Sequence, residues 1–340
     1  MNEAETTPAR ARRAGVRDVA ALAGVSRQTV SRVLNQHPDV AEATKQRVLH
    51  AVDQLSYRMN NAARALGTRR SHMIGILAPN ALHYGPSRSI ETVESAARAA
   101  GYWVTAAFAN VNDKQAVQSA VDHLLSQSVD GLVVVAPHAT TLDAVEKLHV
   151  EIPVAVLHAA GREASGLSID QVAGARLATA NLLEAGHLSL AHIAGPTDWL
   201  EAEARAAGFT EEIRRHPAAT CTIIAGDWTA HAGYQAAAAV IASGATGVFA
   251  ANDQVALGLI RGLREKGVTV PHDISVVGFD DVPDAAYYWP PLTTVRQDFD
   301  ELARRAVARL VTRGADSGSA FGMLHPELIV RDSVAAPSVT

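Results

Sequence analysis

Arg27, Gln28, Ser31 and Arg32 fall within six residues of one another. A guanidinium pairs bidentately with guanine and a carboxamide with adenine in the major groove, so this set suits base recognition. The four are presented together only on a helix whose Val30 and Val33 face inward, sending the polar side chains outward from its first turns. Other chemistry is hard to find. No phosphate-binding G-x-x-x-x-G-K-[ST], H-E-x-x-H or G-x-S-x-G is present, and the 14 histidines are scattered. This argues against an enzyme, a metal site or a cofactor.

The elements that must position Arg27 to Arg32 can be read from the residues before them. Val19 and Ala23 share one helical face, Gly24 supplies a turn, Ser26 stands ready to cap the next helix, and Val30, Val33 and Leu34 pack back. The stretch from Val16 to Asn35 is thus a helix-turn-helix. A small helical pair with solvating arginines would share this spacing, so charge is the discriminator. The chain has a net charge of −5. Residues 1–70 carry 12 Lys and Arg against 6 Asp and Glu, which leaves an acidic remainder and predicts a polyanion partner for the head.

A third helix is expected from about Ala43, its Val48, Val52 and Leu55 closing the head, with Tyr57 next. Residues 1–14 form an Ala- and Arg-rich arm, and Asn60 to Gly67 a short joining helix. From Met73 the pattern changes to apolar runs alternating with Ala-rich helical stretches. Ile74–Leu77, Trp103–Ala106, Gly131–Val135 and Val154–Leu157 read as buried parallel strands, and the alternation restarts with Ala191–Ala194, Thr222–Ile224, Gly247–Ala250 and Ile274–Val277. Two similar halves imply a ligand crevice at strand C-terminal ends. The single cysteine, Cys221, excludes an internal disulfide framework and reads as a buried small residue. No signal-like or membrane-spanning run occurs, which points to a cytoplasmic protein with no membrane partner. Residues 334–340 read as a disordered tail.

Four separated motifs then carry a resemblance: Asp18-Val19-Ala20 with Ala23-Gly24-Val25-Ser26 and Thr29 to Asn35; Ala251 to Gly258; Asp273 to Asp281; and Pro290 to Phe299. Over nearly the whole chain they resemble the lactose-repressor (LacI/GalR) family of bacterial transcription regulators. The expected fold class is α/β, an N-terminal three-helix helix-turn-helix head plus a two-lobed periplasmic-binding-protein-like body of parallel sheets. The head is placed at 15–59 and the hinge helix with its linker at 60–70. The body spans 71–332, with a first lobe at about 71–168 plus 297–320 and a second at about 169–294 plus 321–332, followed by a tail at 333–340.

The resemblance implies a repressor of carbohydrate-utilisation genes, a homodimer on palindromic double-stranded operator DNA, released when a sugar effector, a galactoside or related glycoside among the candidates, fills the cleft. Arg27, Gln28 and Arg32 would read bases, Ser26, Thr29 and Ser31 face phosphates, and Arg17, Asn35 and Asn60 add DNA contacts. Leu66, with Ala63 beside it, would wedge into the minor groove. Effector contacts would be Asn80, Leu82, His158, Arg205, Trp228, Asn252, Asp280, Gln297 and Phe299, types that grip hydroxyls and cover a sugar ring face.

Three positions depart from the family pattern: Met59 replaces a proline, His158 a ligand-binding aspartate and Glu201 a serine. Other readings stay open for single residues: Leu66 as a core leucine, Asp280 and Asp281 as caps of the Val282-Pro283 turn, Asp253 as a helix N-cap, Arg205 as a surface charge. Competing functions are a co-repressor-type regulator whose ligand or protein partner tightens DNA binding, a sugar-binding transport protein, and a sugar-modifying enzyme. The absence of leucine heptads near Leu328 to Arg331 favours a dimer over a tetramer.

Overall fold

The computed structural model describes residues 14–34, 39–57, 70–80, 83–110, 113–147, 150–158, 160, 167–312 and 322–337. They form two compact units that divide between Ser71 and His72.

In the first unit, α1 (Val16–Ala23) begins where the Gly15 N–H donates to the Asp18 carboxylate at 2.7 Å. It ends at Gly24, whose φ of 66° and ψ of 39° form a left-handed stop that a side chain would strain. Helix α2 (Arg27–Leu34) is capped by Ser26, whose Oγ accepts from the Thr29 N–H at 3.0 Å. Val19, Val30 and Val48 are fully buried, Val48 on α3 (Glu42–Gln54). Burying each contributes about 1.5–3 kcal/mol, which is what holds three short helices together. Ala51 joins them, whereas Val52 and Leu55 are only partly covered.

The second unit holds two sheets. In the first lobe, β1 (Met73–Pro79), β2 (Trp103–Ala109), β3 (Gly131–Val135) and β4 (Val154–Leu157) pair in the order β2-β1-β3-β4, all parallel. Helices α4 (Tyr84–Ala99), α5 (Lys114–Ser126) and α6 (Ala139–Glu146) alternate with them. In the second lobe, β5 (Ser189–Ile193), β6 (Thr220–Ile224), β7 (Gly247–Ala250), β8 (Ser275–Asp280), β9 (Thr293–Arg296) and β10 (Glu327–Ile329) take the order β10-β9-β8-β7-β5-β6, with β10 antiparallel to β9. Between them run α7 (Gln171–Glu184), α8 (Leu200–Arg214), α9 (Ala230–Ala242) and α10 (Asp253–Glu265). The chain then returns, because α11 (Phe299–Val311) buries Phe299, Leu302 and Leu310 among the first lobe's Ile74, Val133 and Leu157. Two crossings run side by side, with the Asp170 N–H donating to the Leu324 carbonyl and the Leu324 N–H to that of Ser168.

Several sequence expectations are corrected. β2 and β6 are edge strands rather than buried ones: Trp103 and Phe108 are exposed, as are Thr220 to Ile223. An edge strand has only one paired flank and incomplete helix cover, which an apolar run alone does not reveal. Cys221 is exposed for the same reason. Strands β9 and β10 lie outside the strands expected from sequence because Thr293–Arg296 and Glu327–Ile329 are not the continuous apolar runs by which the others are read. The tail is docked as far as Pro337. Ser333 is fully buried, its Oγ donating to the Val276 carbonyl at 2.6 Å and accepting the Thr293 N–H at 2.8 Å, and His187 Nε2 lies 2.9 Å from the Ala335 carbonyl. Side-chain hydrogen bonds to backbone groups distant in the chain, invisible in composition, hold it.

Candidate ligand cleft and nucleic-acid interface

Between the two lobes lies a narrow cleft lined by His83, Tyr84, Gly85 and Pro86 of the first lobe and Trp199, Glu201, Arg205, Trp228, Asn252 and Asp280 of the second. Apart from Arg205, in the second turn of α8, the second-lobe residues sit between strand ends and helix starts, where a parallel sheet delivers side chains to one edge. Arg205 on α8 is the hub and is buried, not a surface charge. Its Nε donates to Gln171 Oε1 at 2.9 Å, Nη1 to the Ala251 carbonyl at 2.5 Å, and Nη2 reaches Asp280 Oδ1 at 3.5 Å. The guanidinium stacks over Phe279, 3.8 Å from the ring centroid. Gln297 Nε2 donates to the same Asp280 oxygen at 2.7 Å, and Gln171 Nε2 to Gln297 Oε1 at 2.7 Å.

Asp280 ends β8 with φ of 107°, and Asp281 follows at 50°. Left-handed backbone at a non-glycine residue costs of order 1–3 kcal/mol and persists only where its neighbours hold it. Here Asp281 accepts from Arg296 Nε and Arg331 Nη2, each at 2.7 Å. Asp253 accepts the Val282 N–H at 2.8 Å and the Thr294 hydroxyl at 2.5 Å. Asp253 is therefore a strut under this turn rather than an N-cap; Asn252 caps α10, its Oδ1 accepting the Val255 N–H at 2.8 Å. Asp281 likewise forms ion pairs instead of capping the Val282-Pro283 turn.

Burial pushes the Asp280 carboxyl up to about 6, with Arg205 pulling it back. Burial, then the neighbouring Asp280 charge, raises Asp253 well above the usual carboxylate range. Glu201 behaves oppositely: burial works to raise it, but His158 and Arg205 together hold it below its ordinary value. Burial also raises the Tyr84 hydroxyl to about 12 and lowers His83 and His138.

Of the residues singled out from sequence, Arg205, Trp228, Asn252 and Asp280 line the cleft. His158, Gln297 and Phe299 stand behind it: His158 against Glu201, Gln297 against Asp280, Phe299 against the rings of Tyr84 and His158. Asn80 is exposed just after β1 and is not among the lining residues. Leu82 lies outside the described residues. Sequence reasoning missed Tyr84 and Trp199. Trp199 meets His83, His138 and Trp228 edge-on at 5.3, 4.8 and 5.4 Å, and its place two residues before Glu201 was the available signal. Among the described residues no three potential ligands gather to hold a metal, and no helix is long and apolar enough to cross a membrane.

In the head, Arg27, Gln28, Ser31 and Arg32 are exposed on α2 and Arg17 on α1, opposite the buried valines. Ser26 Oγ and Thr29 Oγ1 are 2.9 Å apart. Asn35, Met59, Asn60, Ala63 and Leu66 lie outside the described residues.

A three-helix head with a polar, arginine-bearing second helix, together with a two-lobed parallel-sheet body, defines a DNA-binding transcription regulator with a periplasmic-binding-protein-like body. Residues 11–60 match the bacterial regulatory proteins of the lacI family, and residues 179–334 the periplasmic binding protein-like domain. The lactose operon repressor of Escherichia coli is 34% identical over 330 residues, covering 94% of this chain and 91% of that protein. The transcriptional repressor PurR of Vibrio vulnificus is 32% identical over 335 residues, 94% and 98% of the two chains. The lac repressor dimer bound to operator and the anti-inducer ONPF superposes with a TM-score of 0.82 at 33% identity, over 96% of this chain and all of that one. The CelR–cellobiose complex gives 0.66 at 28%, over 94% and 100%. The chain belongs to the lacI family, and its relatives are transcriptional repressors rather than enzymes.

Proposed function

We propose that this chain is a cytoplasmic, homodimeric repressor that binds a palindromic operator and is released by a carbohydrate. The observation that carries the ligand reading is the convergence of Arg205, Asn252 and Asp280 on one cleft beside Trp228. Among the described residues the buried Trp228 indole N–H has no hydrogen-bond acceptor. A ligand oxygen would satisfy that donor while the aromatic rings cover an apolar sugar face. Arg27, Gln28 and Arg32 read bases, and Ser26, Thr29, Ser31 and Arg17 meet phosphates. One head reads only a half-site, so two-fold pairing doubles the contacts. The relatives support this reading: one solved neighbour is a dimer on operator, and another holds cellobiose.

The test is fluorescence anisotropy of the full chain on labelled palindromes from its own upstream region, at fixed salt, titrated with a panel of sugars. Release by a sugar is the expected outcome. Tightening by a sugar would establish co-repression instead, and binding indifferent both to DNA sequence and to every sugar would overturn the proposal.

A further inference from the structure

Ser89, His158 and Glu201 form a buried hydrogen-bonded chain across the two lobes, 1%, 3% and 6% exposed respectively. His158 Nε2 is 2.7 Å from Ser89 Oγ, and its Nδ1 is 2.8 Å from Glu201 Oε1. The order is that of a hydroxyl–imidazole–carboxylate catalytic triad. Ser89 nonetheless sits in the second turn of α4, where the backbone N–H groups are bonded within the helix, and its burial leaves no room for a substrate carbonyl. The chain of bonds therefore holds a side chain in place.

What it holds is Glu201. With Oε1 taken by His158, its other oxygen stands 4.0 Å from Arg205 Nη2, and the residue lines the cleft. Asp280 Oδ1 approaches the same guanidinium nitrogen at 3.5 Å. Two carboxylates thus flank one arginine whose Nε, Nη1 and Nη2 are committed to Gln171, Ala251 and Asp280. An ionised carboxylate only accepts hydrogen bonds, so the pair selects ligand donors. A phosphate or carboxylate on the ligand would need a free arginine fork and would meet two like charges instead.

Resting on the carbohydrate reading above, we infer that Glu201 is a specificity-determining ligand residue, positioned by Ser89 and His158, and that it restricts the effector to uncharged sugars whose hydroxyls donate to Glu201 and Asp280. The test follows the tryptophan emission of the full chain, to which Trp199 and Trp228 contribute from the cleft, titrated with neutral mono- and disaccharides and with their 6-phosphates and uronic acids. The charged sugars bind at least tenfold more weakly than the best neutral one. Glu201→Gln, which keeps the shape and removes the charge, weakens that neutral sugar at least tenfold. His158→Ala weakens it similarly, whereas His158→Gln, whose amide can bridge Ser89 and Glu201, recovers most of the affinity. Thermal melting by circular dichroism checks that each variant is folded; if Glu201→Gln does not melt cooperatively, the comparison of charged with neutral sugars on the parent chain decides. A charged sugar binding as tightly as any neutral one, or unchanged affinity in Glu201→Gln, overturns the inference while leaving the carbohydrate reading standing. Equal loss in His158→Gln and His158→Ala removes the positioning role. If no sugar shifts the emission or releases operator, the carbohydrate reading fails and this inference with it.

Discussion

Asp280 combines burial, an arginine and a left-handed backbone at one position, and its titration is the consequence that can be measured most directly. Its pKa of about 6 lies above that of a free carboxyl. Between roughly pH 4 and 6 the folded protein therefore binds more protons at this site than the unfolded chain does, so ionising it costs stability as pH rises, and the cost is complete above 6. On the carbohydrate reading proposed above, ligand binding has the opposite sign, because an ionised carboxylate offers hydroxyl donors more acceptor capacity than a protonated one. Sugar affinity is expected to rise from pH 5 to pH 7 with an inflection near 6, and Asp280→Asn to remove that inflection, as read by tryptophan emission. A flat profile in the parent chain would exclude Asp280 as an acceptor. The neighbouring Gly195 matters for a steric reason: a Cβ there would stand 2.6 Å from the Trp228 ring, so only glycine lets the indole lie against that loop.

At the scale of elements, the crossing of α9 and α10 depends on backbone contact. A Cβ on Gly258 would overlap the Ala230 carbonyl, and one on Gly233 the Val255 carbonyl. These two helices carry the residues that follow Trp228 and the Asn252 cap, so their separation fixes the spacing of two cleft residues. Gly258→Ala forces the helices apart, and overpacking of this kind costs about 1–3 kcal/mol. The expected result is a lower denaturant midpoint with an unchanged slope, together with weaker sugar binding. An unchanged midpoint would show that the crossing relaxes freely. In the head, the capped start of α2 and the left-handed stop at Gly24 do comparable work, setting the angle at which Arg27 to Arg32 leave the surface.

At the scale of the whole molecule, a head of 12 basic and 6 acidic residues within the first 70 is joined to an acidic body. The first attracts a polyanion while the second contributes no such attraction, so operator affinity is expected to fall steeply with salt and sugar affinity to change little. Linkage makes a stricter demand: if sugar weakens operator binding by some factor, operator must weaken sugar binding by the same factor. Paired titrations, anisotropy with saturating sugar and tryptophan emission with saturating operator, should return equal factors within error. Unequal factors would mean that the two ligands do not act through one shared equilibrium.

The helix-turn-helix was legible because its information is local. A face of Val19, Ala23, Val30 and Val33, a glycine turn and a serine cap all fall within sixteen residues, and periodicity reports them directly. The alternating body was legible too, since buried parallel strands are continuous apolar runs. The family resemblance added Arg205, Trp228, Asn252 and Asp280, four residues that the fold does bring to one cleft. Tertiary structure decided what depends on partners distant in the chain. Whether a strand lies at an edge, as β2 and β6 do, depends on neighbours the strand itself does not encode. That Asn252 caps while Asp253 braces a turn 29 residues away is settled by which oxygen meets the Val282 N–H. His158 is a substitution in the sequence, but only packing puts Ser89 on one side of its ring and Glu201 on the other. Short-range order is written in spacing, whereas burial and charge pairing exist only once distant segments share the same space.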